Sequence, residues 1–187
     1  GGWVLKQACL TAATWPGAIR VAVNLSPVQF KSRRLMESVE QALAEAGLPA
    51  SRLELEITES VLLSDSDQTL ETLHALRAMG IRISMDDFGT GYSSLSYLRA
   101  FPFDKIKIDR SFIEDVGSTD ANFEIIKAVI ALGRSLGMAT TAEGVETEAQ
   151  LDAVRAHGCD EIQGFLFSRP LPPRDALELI TRLAVPV

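Results

Sequence analysis

Helical and strand-like patterns alternate along the chain. Four amphipathic segments with apolar residues at helical spacing each end at a glycine, and each is followed by a short apolar strand. A glycine just past a helix readily adopts the left-handed conformation of a helix C-cap. Helices are predicted at residues 35–46, 69–79, 122–136 and 147–157, with a further helical segment at 3–13. Strands are predicted at residues 20–25, 53–58, 81–85, 105–108 and 138–142 and near Ile162.

This alternation indicates the fold class. Strands separated by helices are parallel and are joined by helical crossovers, which predicts an α/β protein. No low-complexity linker interrupts the pattern, so residues 1–187 are interpreted as a single domain. Two architectures fit these elements: an open, doubly wound sheet and a closed (β/α)8 barrel of the TIM type.

The two faces of the strands distinguish these architectures. Apolar side chains alternate with Glu54 and Glu56 at residues 53–58, and isoleucines alternate with Lys105 and Lys107 in a later strand. An open parallel sheet covered by helices on both sides is apolar on both faces. A barrel instead carries polar residues on the lumen face near the carboxyl ends of its strands. The pattern therefore predicts the barrel.

The number of strands is too small for a complete barrel. A (β/α)8 barrel has eight strands and about 250 residues, whereas six strands are predicted here, and the chain opens directly on the helical segment at 3–13. We therefore expect an N-terminal portion of roughly two strands to be absent from this sequence. The chain is interpreted as an N-terminally incomplete barrel domain.

Polar residues occupy the predicted carboxyl ends of the strands, where a barrel carries its active site. Most of them offer oxygen atoms and none is a histidine, which indicates Mg²⁺ or Mn²⁺ rather than zinc or copper. Two such ions can activate a water and stabilise the leaving oxygen of a phosphoryl displacement, and a lysine can add a fixed positive charge. The candidate residues are Asn24, Glu56, Asp86, Asp87, Lys107 and Glu143.

The adjacent carboxylates of Asp86 and Asp87 need an explanation, because like charges repel unless a cation neutralises them. We interpret the pair as facing one metal ion, or two ions that share a carboxylate. Plainer alternatives exist: Asp86 could be a helix N-cap, and Gly89 could simply allow a turn. A lumen-facing Lys107 is harder to explain otherwise, because a buried lysine is costly without a carboxylate partner.

Composition limits the function further. The 187 residues are 47% hydrophobic and carry 25 acidic against 18 basic groups, a net charge of −7. This charge argues against binding to long nucleic acid but allows a small anionic ligand if metal ions are present. Cys9 and Cys159 have no metal-binding spacing and are expected to be reduced. No signal peptide or membrane-span pattern is found, so a cytoplasmic protein is expected, which a domain outside this chain could still tether to a membrane.

Six motifs in fixed order resemble the EAL-domain family of bacterial phosphodiesterases, which hydrolyse cyclic di-GMP to the linear dinucleotide pGpG. The resemblance covers residues 3–170. The motifs are Asn24-Leu-Ser26, Glu56-Ile-Thr-Glu-Ser60, Asp86-Asp-Phe-Gly-Thr-Gly-Tyr-Ser-Ser-Leu95, Lys107-Ile-Asp109, Ala142-Glu-Gly-Val-Glu146 and Gln163-Gly164.

The resemblance implies a role for each matching residue. Asn24, Glu56 and Asp86 match the ligands of one divalent cation. Asp86 also matches a residue shared with a second ion, which Asp87 and Glu143 would contact. Lys107 matches the lysine that holds the catalytic water, and Glu143 is a candidate base in the family.

Other matches lie around this centre. Glu146 and Gln163 match residues that line the site. Residues 88–95 match a mobile loop that affects metal binding and dimer contacts, and Glu59 matches the glutamate that anchors it. The resemblance also implies a homodimer and a possible upstream sensory or diguanylate-cyclase-like domain.

One motif of the family is absent from the sequence. The Glu-Ala-Leu tripeptide supplies a metal ligand and is followed by an arginine that contacts substrate phosphate, but only Asp175-Ala-Leu177 occurs here, in the wrong place. The chain is therefore either trimmed or naturally degenerate. An inactive cyclic di-GMP sensor or interaction module is the alternative to the phosphodiesterase. A Schiff-base lyase with Lys107 as the nucleophile is a third hypothesis.

Overall fold

In the part of the chain that the structure describes, six parallel strands lie side by side in chain order and form one curled sheet. The computed structural model describes residues 2–32, 34–62, 66–90, 95–114 and 120–183. Each strand pairs with the next along the chain, as expected for strands joined by helical crossovers. The strands are β1 (Val21–Leu25), β2 (Leu53–Thr58), β3 (Arg82–Phe88), β4 (Lys105–Ile108), β5 (Ala139–Ala142) and β6 (Glu161–Ile162).

Helices connect the strands, and a short helix directly follows β1, β2 and β4 before the longer one. Within the part of the chain that the structure describes, none of the helices has both the length and the apolar character needed to cross a bilayer. The helices are α1 (Gly2–Ala13), α2 (Pro27–Phe30), α3 (Leu35–Ala46), α4 (Glu59–Leu62), α5 (Ser66–Ala78), α6 (Leu95–Ala100), α7 (Arg110–Glu114), α8 (Asp120–Leu136), α9 (Glu148–Ala156) and α10 (Pro173–Leu183).

Contacts between side chains on the inner face show that the sheet is curved. The Nζ of Lys105 on β4 lies 2.8 Å from a carboxylate oxygen of Glu54 on β2 and 2.5 Å from one of Glu161 on β6. Neighbouring strands are about 4.8 Å apart, and β2 and β6 lie two strands away from β4 on opposite sides. The sheet therefore curls around this lysine. The predicted barrel architecture is confirmed as a curled half-barrel with a polar lumen.

The outer face of the sheet carries the apolar core. Leu55, Ile83 and Ile106 are completely buried on this face. Helix α5 packs on β3, α8 packs on β4 and β5, and α1 packs on β1 and α3. Burying one large aliphatic side chain contributes about 1.5–3 kcal/mol, so these helices hold the strands in register and thereby position their lumen-facing side chains.

The predicted elements are present, with some ends shifted. The strand expected at 81–85 begins at Arg82 and continues to Phe88, so Asp86 and Asp87 lie within β3 rather than after it. Gly47 ends α3 with a φ of 60°, as the sequence predicts for a C-cap. The short helices α2, α4, α6 and α7 were not predicted, because four to six residues are too few to show a helical period. Helix α10 was also not predicted.

Candidate active site

Three of the predicted carboxylates surround the ammonium group of a fourth predicted residue, Lys107, at the carboxyl ends of the strands. The Nζ of Lys107 lies 2.9 Å from Glu56 Oε1, 2.7 Å from Asp86 Oδ1 and 2.6 Å from Glu143 Oε1. These side chains come from β2, β3, β4 and the residue that follows β5. The side chain of Lys107 is only 5% exposed, so its charge is balanced inside the protein. We refer to Lys107 and these three carboxylates, with Asp87, as the upper layer.

Carboxylates outnumber ammonium groups four to one in the upper layer. Burial raises the pKa of Glu56 and Glu143 above the usual range, and the positive charge of Lys107 offsets this only in part. Burial alone would lower the pKa of Lys107, but hydrogen bonds to Asp86 and Glu143 and the charge of Glu56 raise it above its usual range. The lysine is therefore permanently charged, and the carboxylates favour an additional positive charge nearby.

A local distortion of β3 brings Asp86 and Asp87 to the same side. In a regular strand, successive side chains point to opposite faces, which would direct Asp87 away from the lumen. Asp87 instead has a φ of 54°, and the pairing of β3 with β4 shifts register between Met85 and Phe88. As a result, carboxylate oxygens of Asp86, Asp87 and Glu143 all lie within 4.8 Å of one another.

This group of oxygens fits a hard divalent cation. Mg²⁺ and Mn²⁺ prefer carboxylate oxygens, and Asp86, Asp87 and Glu143 offer three within reach of one ion. Burial also raises the pKa of Asp87, and the neighbouring charge of Asp86 raises it further. A bound cation would relieve this repulsion.

The remaining predicted residues lie around the upper layer. Asn24 on β1 pairs in register with Glu56 and is exposed. Glu59 begins α4, and its Oε1 accepts a hydrogen bond of 3.1 Å from the N–H of Gly89. Glu59 is thus connected to the first part of the predicted loop at 88–95, of which residues 91–94 lie outside the described residues.

Glu146 and Gln163 flank the loop that follows β5. Glu146 is exposed, and its backbone N–H donates to the side chain of Gln150. The backbone of Gln163 donates to Ala142 and accepts from Val145, so it extends the pairing between β5 and β6. The side chain of Gln163 lines the lumen. Both residues therefore border the upper layer without contacting Lys107.

Gly164 has no room for a side chain. A Cβ at this position would lie 2.0 Å from the carbonyl oxygen of Val145. We expect Gly164→Ala to lower the free energy of unfolding by about 1–3 kcal/mol or more, as overpacking does in well-packed regions. Chemical denaturation measures this loss. Gly2→Ala is the control, because no atom of the described residues lies within 4 Å of a Cβ placed on Gly2. Equal stability of the two variants would contradict the prediction.

A second charged layer lies beneath the first and was not predicted as a unit. Lys105 contacts Glu54 and Glu161, and Thr141 Oγ1 donates to Glu161 at 3.3 Å. Ser84 on β3 pairs in register with Lys105, and its buried hydroxyl group has no hydrogen-bond partner among the described residues. The two-residue period of a strand predicts the lumen-facing position of Glu54 and Lys105, because each precedes an upper-layer residue by two positions. It makes no such prediction for Glu161, because β6 has only two residues and is too short to show a period.

A lumen cavity of about 650 Å³ is lined by Glu56 and Lys107 of the upper layer and by the charged residues of the layer beneath. The segment after β6 lines this cavity with exposed Phe165 and Phe167, and the guanidinium of Arg169 lies 4.9 Å from the ring centroid of Phe165. Cation–π contact at this distance is favourable. The cavity therefore combines a charged wall on the sheet with an aromatic wall, and sequence patterning did not reveal the aromatic wall.

The raised carboxyl pKa values predict how stability depends on pH without metal. A carboxyl group whose pKa is higher in the folded than in the unfolded chain favours folding at low pH, and this contribution is lost as the pH rises through the raised pKa. We therefore expect the free energy of unfolding in the presence of a chelator to fall as the pH rises from the ordinary carboxyl range towards neutrality. Glu143→Gln should reduce this fall, because Glu143 is one of the groups with a raised pKa.

Denaturant titrations at acidic and at neutral pH measure this effect. Glu124→Gln is the control, because this side chain is 68% exposed and its ion pair is a surface contact with Lys127. Lys107 does not contribute in this pH range, because it stays charged throughout. An unchanged pH dependence in Glu143→Gln would contradict the prediction.

The surroundings of Lys107 argue against the lyase hypothesis. A Schiff-base lysine needs a lowered pKa so that its amine is free to attack. Lys107 instead has a raised pKa and contacts three carboxylates. These contacts suit a fixed positive charge rather than a nucleophile.

Comparisons with known proteins agree with this geometry. A protein-family profile described as EAL domain matches residues 1–170. The chain is 56% identical over 180 residues to the uncharacterized protein y4lL of Sinorhizobium fredii, and this match covers 96% of the chain and 22% of y4lL. It is 47% identical over 174 residues to the cyclic di-GMP phosphodiesterase NbdA of Pseudomonas aeruginosa, covering 91% of this chain and 22% of NbdA. The chain thus spans only 22% of the length of each of these relatives.

Solved structures are similar over nearly the whole chain. The MucR phosphodiesterase of Pseudomonas aeruginosa in complex with cyclic di-GMP matches with a TM-score of 0.90 and 46% identity, over 94% of this chain and 73% of that one. Klebsiella pneumoniae BlrP1 with manganese and cyclic di-GMP matches with a TM-score of 0.83 and 34% identity, over 90% of this chain and 44% of that one. Together with the family profile, these similarities show that the chain belongs to the EAL-domain family.

Proposed function

We propose that the chain forms part of a metal-dependent phosphodiesterase that hydrolyses cyclic di-GMP to linear pGpG. The observation that carries this proposal is the cluster of Asp86, Asp87 and Glu143 oxygens beside the buried ammonium group of Lys107. A site with excess carboxylates around one fixed cation suits metal-assisted attack on a phosphodiester. The related MucR and BlrP1 structures, which contain cyclic di-GMP and in BlrP1 also manganese, support the choice of substrate and metal.

Two groups of residues would each hold one metal ion. Asn24, Glu56 and Asp86 would hold one Mg²⁺ or Mn²⁺ ion, and Asp86, Asp87 and Glu143 would hold a second. When bound, two ions lower the pKa of a water and neutralise developing charge on phosphate oxygens. The ions would also reduce the repulsion between the carboxylates and the two phosphates of the substrate.

Lys107 would change partners when cations are present. Its ammonium group has three N–H donors, and Glu56, Asp86 and Glu143 each accept one in the structure. Once cations balance these carboxylates, Lys107 would free a donor to hold the attacking water. Glu143, whose pKa burial already raises, would accept the proton of that water.

We further propose that residues 1–187 are one barrel-type domain and that its first two strands lie upstream. The open side of the lumen supports this, because Phe165, Phe167 and Leu183 line it and remain exposed. The upstream strands would supply the Glu-Ala-Leu ligand and cover these side chains. A homodimer, an upstream sensory or cyclase-like domain and a cytoplasmic location complete the proposal.

Hydrolysis of cyclic di-GMP by the full natural protein tests the proposal. We expect conversion to pGpG with Mn²⁺, loss of activity with a chelator, and recovery on adding Mn²⁺ back, because the carboxylate cluster has no other source of positive charge besides Lys107 among the described residues. Chromatographic separation of the two nucleotides measures the conversion. Activity that persists in excess chelator would contradict a metal-dependent mechanism.

The alternative function is a sensor that binds cyclic di-GMP without cleaving it. The absence of a Glu-Ala-Leu tripeptide from these 187 residues is the observation that favours it. Saturable binding of the dinucleotide by the full natural protein, with no pGpG formed in the presence of Mn²⁺, would support the sensor over the enzyme.

A further inference from the structure

The short helix α7 contacts the loops on both sides of β4. On the β3 side, a Cβ on Gly89 would lie 2.9 Å from the ring of Phe112, so the backbone after Asp87 packs directly on this ring. On the β5 side, a Cβ on Gly144 would lie 2.5 Å from the Cβ of Arg110. Helix α7 therefore contacts the segment that follows β3, which carries Asp86 and Asp87, and the segment that follows β5, which begins with Glu143.

Gln150 connects α7 to the loop after β5 through both ends of its carboxamide. Its Nε2 donates to the carbonyl oxygen of Ile113 on α7 at 3.2 Å. Its Oε1 accepts from the N–H of Glu146 at 2.8 Å and from the N–H of Thr147 at 3.0 Å. Gln150 is 9% exposed and Ile113 is completely buried, so the bond between them is protected from water and is costly to break.

The positions of the strands make this link important for the cluster. Asp86 and Asp87 lie on β3 and Glu143 follows β5, and these two strands are not neighbours, because β4 lies between them. Within the sheet their spacing is set through β4, which pairs with both strands and whose Lys107 contacts Asp86 and Glu143. The link through α7 adds a second connection, between the segments that follow β3 and β5.

We propose that Gln150 is a positioning residue that, through α7, sets where Glu143 stands relative to Asp86 and Asp87. This inference rests on the proposed function, since it concerns the same candidate metal site. Residues that orient metal ligands from outside typically change metal affinity or activity by about 10–100-fold when replaced. A 1 Å displacement of Glu143 would spread the oxygens that now lie within 4.8 Å of one another.

A purely structural role for Gln150 is also conceivable and must be separated from positioning. Gln150 completes the capping box of α9, because its N–H donates to Thr147 Oγ1 at 3.3 Å while its side chain accepts from Thr147. Thr147→Ala removes the capping hydroxyl group but leaves the bond from Gln150 to Ile113. Gln150→Glu keeps an acceptor for the loop but loses the donor to Ile113, and it adds a negative charge that by itself would favour cations.

The experiment measures Mn²⁺ binding by isothermal titration in the full natural protein, together with its melting temperature. We expect Gln150→Leu and Gln150→Glu to weaken Mn²⁺ binding by about 10-fold or more. Thr147→Ala should lower the melting temperature and leave Mn²⁺ binding unchanged. Gln41→Leu is the control, because Gln41 lies on the exposed surface of α3 and donates to Glu45 on the same helix. If Gln150→Leu fails to fold, Gln150→Glu decides the result.

The outcomes distinguish this inference from the proposed function. Unchanged Mn²⁺ binding in Gln150→Glu would overturn the positioning role. Equal weakening by Thr147→Ala would overturn it too, because the helix cap would then suffice as the cause. If the wild type binds Mn²⁺ but forms no pGpG, the proposed function fails while the binding data still test Gln150. If it does cleave, we expect Gln150→Leu to lower kcat and to leave KM within about 2-fold, since Gln150 contributes to the metal ligands and not to substrate contacts.

Discussion

Asp86→Asn is expected to abolish divalent-cation binding and to lower kcat/KM for cyclic di-GMP by more than about 100-fold, beyond the range typical of residues outside the ligand shell. Asp86 contacts Lys107 at 2.7 Å and shares the cluster with Asp87 and Glu143. Asparagine keeps the shape of the side chain and can still accept a hydrogen bond from Lys107. It removes the negative charge that a shared ligand between two ions requires, and this loss affects both proposed ion sites at once.

Mn²⁺ titration and pGpG formation measure the two effects in the full natural protein. Asp152→Asn is the matched control, because Asp152 lies exposed on α9, away from the upper layer. We expect Asp86→Asn to remain folded, since the substitution removes charge from a site with excess carboxylates. Wild-type turnover in Asp86→Asn would contradict a catalytic role for the cluster and would favour a different location for the metal.

Lys107→Met is expected to cause the largest loss of stability of any substitution in the lumen. Removing one partner of a buried ion pair typically costs about 3–5 kcal/mol, because the other charge stays buried and unbalanced. Here three carboxylates lose their common partner, and Glu56, Asp86 and Glu143 are each no more than 16% exposed. Since domains are stable by only about 5–15 kcal/mol, the metal-free variant should be close to unfolding at room temperature.

The same charge argument predicts a rescue. Mn²⁺ can replace the missing positive charge beside the carboxylates, so it should raise the melting temperature of Lys107→Met more than that of the wild type. Thermal melts with and without Mn²⁺ measure this difference. Lys127→Met is the control, because Lys127 is 54% exposed and its pair with Glu124 is a surface contact. A stable, metal-insensitive Lys107→Met variant would contradict the assignment of Lys107 as the internal counter-ion.

The sequence by itself determined which side chains face the lumen. Strands have a period of two, so the alternation alone predicts that Glu56 and Lys107 lie on the polar face. The same period, applied two residues earlier, placed Glu54 and Lys105 on that face. The order of strands and helices likewise determined the parallel sheet, because crossovers join neighbouring strands in chain order.

Only the tertiary structure decided which of these side chains meet. Glu56 and Lys107 lie on strands two positions apart, and the curvature of the sheet brings them to 2.9 Å, which no local pattern encodes. Asp87 reaches the cluster through a backbone φ of 54°, against the period that strand residues follow. Gln150 and Ile113 are 37 positions apart along the chain. Period and propensity are properties of neighbouring residues, whereas the spacing of the cluster depends on how distant segments pack.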